Sequence, residues 1–215
     1  MKKNKLNDDR KFILHESLKL INNNGWNDNL FELISKQNNI DFDIITSLFP
    51  DGYKDLLKYY FDELNHNLTI SSQKFDFTKI KTHKKVRELI YLRLLEYKKE
   101  KDSIRRAYFT LLLPSNSKIF SIIMFRIVDQ IWFLAGDKST DFNYYSKRSI
   151  LFAIYYSSVM FLINNDFDIK KTLNFLDAKL QKVSKIPNIK SDLKKLPLEM
   201  LKKFNFFKDL KNFKQ

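Results

Sequence analysis

The chain has 215 residues, 44% of them hydrophobic and 30% charged, with a formal net charge of +14 and no Cys. That size and apolar content suffice for one sizeable core, or one domain plus a small appendage, and the charge density argues against wholesale disorder and against a membrane-embedded chain. Without Cys there are no disulfides, zinc–thiolate sites or thiol chemistry, and a reducing compartment is compatible.

A positive balance of this size invites nucleic acid or an anionic membrane as partner. The cations are nearly all Lys, however, and they accompany abundant Asn, Ile and Phe, the composition of an AT-rich genome. Their placement along the chain therefore decides more than their sum. The first residues carry Lys but no continuous apolar run, and they include Asp8, Asp9 and Glu16, so neither a secretory signal nor a mitochondrial presequence is expected there.

Only three Gly and four Pro occur, and no segment sustains an alternation of apolar and polar residues, so the chain reads as all-α. A first helix is predicted from about Asp8 to Asn24, with Phe12, Ile13, Leu18, Leu20 and Ile21 on its apolar side and Gly25 as its stop. Helices follow over about Asp28–Asn38 and Asp41–Ser47, then a longer one over about Asp51–Asn67. Three short helices and a longer one resemble a helix-turn-helix module. The polar stretch Ser71–Asp76 reads as a connection.

The second half has longer elements. A helix over about Thr78–Tyr97 carries Val86, Leu89, Ile90 and Leu94, and another over about Asp102–Leu113 stops before Pro114. Ser117 is placed as the cap of the next helix, whose Phe120, Ile123, Met124, Ile127, Ile131 and Leu134 step by three and four. Thr140 or Asp141 caps the following one. Its uncharged run, Ser149–Asn165, contains Tyr155, Tyr156, Ser157 and Ser158 and falls short of the about 20 apolar residues a spanning helix needs, so it reads as a buried helix. A helix over about Ile169–Val183 places Leu173, Leu176, Leu180 and Val183 on one side. Pro187 and Pro197 bracket a Lys-rich spacer, and a last helix runs from Pro197 to about Phe213.

No catalytic constellation appears. Three Gly leave no phosphate-cradling loop, and His15, His66 and His83 lie in unrelated segments without the spacing of a zinc helix. An enzyme is not expected, nor a metal or other cofactor. DNA binding fares little better. A helix laid in the major groove needs cations against phosphate, yet the stretch Trp26–Gly52 holds Asp28, Glu32, Asp41, Asp43 and Asp51 against Lys36 alone. The positive charge collects instead in the tail. There Met200, Leu201, Phe204 and Phe207 share an arc with Lys202 and Lys203 beside it, a moderately amphipathic basic helix suited to a membrane surface. The same tail is also readable as a segment that packs on its own or another subunit's core.

Three stretches carry a resemblance: "LLLPSN" at Leu111–Asn116, "VDQIWFLAGDKSTDFNYYSKRSILFAIYYS" at Val128–Ser157 and "FLDAKLQKV" at Phe175–Val183. Together with "LFPDGYKDL", they resemble the Coq-nine family, lipid-binding accessory proteins of ubiquinone (coenzyme Q) biosynthesis, over about Asp8–Val183. The resemblance implies a TetR-like helical bundle that dimerises through its C-terminal-domain helices, holds an isoprenoid lipid or phospholipid in an apolar pocket, and docks on membranes through a C-terminal amphipathic helix. It implies presentation of the quinone precursor to the di-iron demethoxyubiquinone hydroxylase (Coq seven).

Carried over by position, the hydroxylase patch is Asp141, Tyr144, Tyr145 and Arg148. Tyr144 stands where the family commonly has Trp, and "SIRRA" at Ser103–Ala107 replaces a Trp-Pro pair. Tyr144 and Tyr145 are expected on different sides of their helix. Ile123, Met124, Ile127, Ile131, Ala153, Tyr156 and Met160 would line the lipid cavity; without the resemblance they read as plain core. Leu201, Lys202, Lys203, Phe204 and Phe207 would touch the membrane.

The expected organisation is a helix-turn-helix-like module at 1–70, a helical lipid-binding and dimerisation domain at 71–186 and a basic amphipathic tail at 187–215. The expected protein is non-enzymatic, homodimeric and without nucleic acid as partner, cytoplasmic and peripheral on a bacterial inner membrane. The other reading of the same sequence is a TetR-type transcription regulator with a hydrophobic effector.

Overall fold

The computed structural model describes residues 2–77 and 80–184, and among these every regular element is helical. The helices are α1 (Lys2–Asn24), α2 (Asn29–Asn38), α3 (Phe42–Leu48), α4 (Tyr53–Ser72), α5 (Thr82–Lys99), α6 (Lys101–Leu111), α7 (Ser117–Leu134), α8 (Asp141–Asn164) and α9 (Ile169–Ser184), with a 3-10 turn at Pro114–Asn116. The all-α expectation holds. The helix foreseen from Pro197, and with it the membrane residues Leu201, Lys202, Lys203, Phe204 and Phe207, lies outside the described residues.

Helix ends moved where pattern gives no signal. α1 begins at Lys2 rather than near Asp8, because extending an existing helix needs no apolar stripe. α4 continues past Asn67 and takes the first two residues of the expected Ser71–Asp76 connection, ending at Ser72; the Ser72 hydroxyl donates to the Thr69 carbonyl at 2.7 Å, covering an end carbonyl. α6 stops short of Leu113, and buried Asn116 explains how. Its amide donates to the Thr110 carbonyl at 2.9 Å while its oxygen accepts from the Tyr53 hydroxyl at 3.1 Å. Ser117 is the first residue of α7, and Thr140 holds the N-cap position of α8 in extended backbone without a side-chain capping bond.

Gly25 ends α1 as foreseen, at φ +70° with its N–H on the Ile21 carbonyl at 2.8 Å. Gly52 is needed for two reasons: its φ is +61°, and a Cβ there would collide with the Asp28 carboxylate. That carboxylate accepts the Tyr53 N–H at 2.7 Å, capping the first turn of α4 from the N-cap position of α2.

The chain divides into two compact units, residues 1–68 with 96–123 and residues 69–95 with 124 onward. A sequential cut near residue 70 therefore differs from the observed division, because α6 joins the first unit. The reason is aromatic packing. Trp26 donates its indole N–H to the Ser103 carbonyl at 3.3 Å and tilts against Tyr60 at 5.2 Å. Phe61 meets Tyr108 edge-on at 5.7 Å, and the Tyr97 and Tyr108 hydroxyls pair at 3.2 Å.

In the second unit, α8 buries Leu151, Ile154, Tyr155, Val159, Leu162 and Ile163, while Met124, Ile127, Val128 and Ile131 of α7 are fully buried. α8 and α9 pack through Phe161 stacked on Phe175 at 4.4 Å. Among the described residues no single helix is long and apolar enough to cross a membrane.

Candidate functional site

Four helices of the second unit leave a groove of about 610 Å³ between them. Val86 of α5, Trp132 of α7, Ile150, Leu151 and Ile154 of α8, and Leu180 and Val183 of α9 make it apolar; His83, Lys84, Arg87, Asp177 and Gln181 give it a polar rim. The volume lies within the range of pockets that enclose most of a small ligand.

A bidentate ion pair ties two of these walls together. Arg87 Nε and Nη2 donate to the two Asp177 oxygens at 2.7 and 2.9 Å. That bond, more than the neighbouring Glu88, holds the guanidinium above its ordinary value against the opposing effect of burial. With Asp177 occupied, the rim keeps no uncommitted carboxylate among the described lining residues.

Beside the groove, the turn between α7 and α8 is closed by a buried network. Arg148, 5% exposed, donates from Nε to Asp129 at 2.8 Å, and its Nη1 reaches Asp137 at 3.4 Å and the Tyr144 carbonyl at 3.1 Å. Its guanidinium lies 3.3 Å from the Tyr144 ring centroid. The Tyr144 hydroxyl donates to Asp129 at 2.7 Å; burial first, and then that carboxylate, push the phenol well above its ordinary value. Lys147 bonds Asp137 at 2.6 Å and lies 5.3 Å from the Trp132 ring centroid. The Trp132 indole N–H donates to the Lys147 carbonyl at 3.2 Å. Burial alone would raise the Asp137 carboxyl, but the hydrogen bonds from Lys147 and Ser139 more than cancel it and hold it below the usual carboxylate value. Trp132 is shared, so this network and the groove wall are one construction.

The structure separates the residues that sequence reasoning grouped. Met124, Ile127 and Ile131 are fully buried core of the second unit, and Ile123 is buried at the end of the first. Ala153 is exposed, and Tyr156 and Met160 are half-buried on the outer face of α8, where Phe152 stacks on Tyr156 at 6.3 Å. None of these seven lines the groove. In the partner patch, Tyr144 and Arg148 engage their polar atoms within the chain. Tyr145 is half-buried, its ring edge-on to Tyr144 at 5.1 Å rather than on a separate side. Asp141 opens α8, and its side chain is not described. Among the described residues, this corner presents outward Phe133 at the end of α7, 70% exposed, Lys138 and Thr140 in the turn, and Asn143 in the first turn of α8.

Sequence reasoning missed the groove residues because helix pairing is not visible in one sequence. The one available signal was opposite charge in two apolar stripes, Arg87 beside Val86 and Asp177 beside Leu176 and Leu180. His15, His66 and His83 are all exposed, and no group of three or more His, Asp or Glu among the described residues is placed to hold a metal ion.

A family model described as COQ9 matches residues 121–187. The chain is 31% identical over 191 residues to a protein of Dictyostelium discoideum named probable ubiquinone biosynthesis protein coq9, mitochondrial, covering 84% of this chain and 61% of that one. It is 30% identical over 149 residues to the ubiquinone biosynthesis protein coq9, mitochondrial, of Schizosaccharomyces pombe, covering 68% and 59%. Against the Bos taurus ubiquinone biosynthesis protein COQ9, mitochondrial, the figures are 30% over 142 residues, 62% and 44%. The chain thus spans less than two thirds of each of these relatives. All three are named mitochondrial proteins of eukaryotes, which overturns the bacterial inner-membrane placement. That placement leaned on charges in the first residues, and these carry no weight in a chain that spans part of its relatives.

Proposed function

Because the chain belongs to the COQ9 family of ubiquinone biosynthesis proteins, we propose that it is a non-enzymatic, mitochondrial lipid-binding protein that holds an isoprenoid quinone precursor in the groove of its second unit. The single observation that carries this reading is the groove itself: aliphatic walls, an indole, a polar rim and a volume of about 610 Å³.

The physical role is a transfer of environment. Each buried CH₂ is worth about 0.8 kcal/mol relative to water, so a five-carbon isoprene unit lifted bare from a bilayer costs about 4 kcal/mol. A groove of this polarity replaces bilayer by protein and removes most of that cost. The head of the lipid then lies at the rim, where a partner enzyme reaches it.

The partner we infer is the di-iron demethoxyubiquinone hydroxylase, docking at the turn between α7 and α8. There the outward contacts are Phe133, Lys138, Asn143 and Tyr145, since Arg148 and Tyr144 are spent on the network within the chain. The apolar, half-exposed stripe of Phe152, Ala153, Tyr156 and Met160 on α8 favours a second copy of the chain as its cover, in keeping with a homodimer of TetR-like subunits. The basic segment from residue 187 supplies membrane attachment. The transcription-regulator alternative gains no support: α3 exposes Asp41 at its cap, then Phe42, Asp43 and Ile44, and holds no Lys or Arg.

The test is native mass spectrometry of the full chain purified gently from a eukaryotic host that makes ubiquinone, followed by lipid extraction. One isoprenoid lipid or phospholipid per chain is expected. A chain that carries none, and that takes none up from vesicles, contradicts the proposal.

A further inference from the structure

The mouth of the groove has a charge pattern of its own, distinct from that of the tail. Lys81, just before α5, and His83, Lys84 and Lys85 in its first turn are basic, and Lys81, His83 and Lys84 are exposed. His83 and Lys84 line the groove together with Leu180, Gln181 and Val183 from the last turns of α9. Lys182 is exposed on the same stretch of α9. Among the described residues no ion pair is seen for Lys81, Lys84 or Lys85, and the one carboxylate lining the groove, Asp177, is held in both its oxygens by Arg87. An apolar slot therefore opens beside a lysine cluster whose positive charge exceeds the one negative charge left when Arg87 pairs with both Asp177 and Glu88.

We propose that this mouth docks directly on an anionic bilayer surface, the first turn of α5 resting on lipid phosphates and the groove opening toward the acyl region. The inference rests on the lipid reading of the groove and deepens it: it states which way the groove faces. Charge complementarity selects the partner. Lysines near a surface of anionic lipid each strengthen binding, and the positive end of a helix adds to the attraction for phosphate. Nucleic acid meets the charge but not the slot, whose walls are chiefly aliphatic, with Trp132 and the rim's His83 as the rings among the lining residues. The Lys-rich tail is a poor occupant, since it would bring like charge to the same rim. Docked in this way, a lipid passes from bilayer to groove without crossing water.

The chain has no Cys, so Thr82→Cys gives a single thiol on the exposed first turn of α5 for an environment-sensitive fluorophore. The full chain, tail included, is titrated with phosphatidylcholine vesicles with and without phosphatidylglycerol. The label's emission is expected to rise and shift to the blue only with the anionic vesicles. In Lys81→Glu/Lys84→Glu/Lys85→Glu the half-saturating lipid concentration is expected to rise by roughly a hundredfold, on about fivefold per lysine, with an unchanged melting curve.

A label that stays in water while flotation shows the protein bound would overturn the proposal, the tail then docking alone. So would an unchanged titration in the triple variant, or tighter binding to single-stranded RNA than to the vesicles at the same salt. Lipid content measured by native mass spectrometry separates the two layers. Wild-type chain that carries lipid but fails the fluorescence test loses the docking and keeps the groove; chain that carries none loses the groove reading itself.

Discussion

Replacing Arg148 with alanine is expected to destabilise the protein by up to about 3–5 kcal/mol, because it removes the buried guanidinium that Asp129 and Asp137 share. Asp137 and Asp129 have side chains only 3% and 14% exposed, so water cannot take over what the guanidinium supplies. The melting temperature should fall by roughly 10 °C. Arg148→Lys should recover part of this, since an ammonium keeps the charge but not the fork that reaches both Asp129 and Asp137.

Lys147 should carry a pH dependence. Against the opposing effect of burial, its hydrogen bond and that of Ser139 hold the Asp137 carboxyl below its ordinary value in the folded protein, so that contribution is fully present above the unfolded carboxylate value. It is lost as the pH falls through the folded one. The gap between wild type and Lys147→Ala is therefore expected to narrow in acid, which thermal melts across that range check. An Arg148→Ala variant that melts like wild type and loses hydroxylase binding instead would return Arg148 to the docking role that the resemblance implies.

Filling the groove should empty it of lipid. Ile150 and Leu180 both line it and are half-buried, so Ile150→Trp or Leu180→Trp adds volume toward the cavity without overpacking the core. Displacing only two CH₂ groups of a bound chain forfeits about 1.6 kcal/mol, more than tenfold in affinity. Lipid retained per chain is expected to fall by at least roughly that factor in either variant, with the melting curve within a few degrees of wild type. Full lipid occupancy in both variants would place the ligand elsewhere.

The second effect depends on the first. Trp132 lines the groove and donates to the Lys147 carbonyl, and Lys147 in turn holds Asp137. Through Asp137 the "AGDKSTDFN" stretch thus helps to set one wall of the cavity, and that residue is accounted for by this role before any partner is invoked.

Much of the fold was legible because helices announce themselves locally. Gly25 as a stop, Pro114 as a break and the spacing of three and four in α7 are one-dimensional signals. Even the misplaced ends have local causes: Asn116 closes α6 by a side-chain bond to Thr110, which no periodicity reveals. The site was less legible. Ile123, Met124, Ile127 and Ile131 form an apolar row, and so do the true lining residues Ile150, Leu151 and Ile154; a sequence does not say which row meets a facing helix and which meets a gap. Ala153, Tyr156 and Met160 were assigned inward from the resemblance, and the rotation of α8 turned them outward. Position in the resemblance puts Arg148 in a docking patch, and the partners that bury it instead, Asp129 and Asp137, lie on another helix and in a turn, beyond a local reading.

The most direct measurement is photocrosslinking of the full chain, in anionic vesicles, with an isoprenoid lipid bearing a diazirine along its chain, followed by peptide mapping. Label is expected on Val86, Trp132, Ile150, Ile154 and Leu180. Label confined to the first unit or to the outer stripe of α8, with these five residues clean, would contradict the lipid-holding role of the groove.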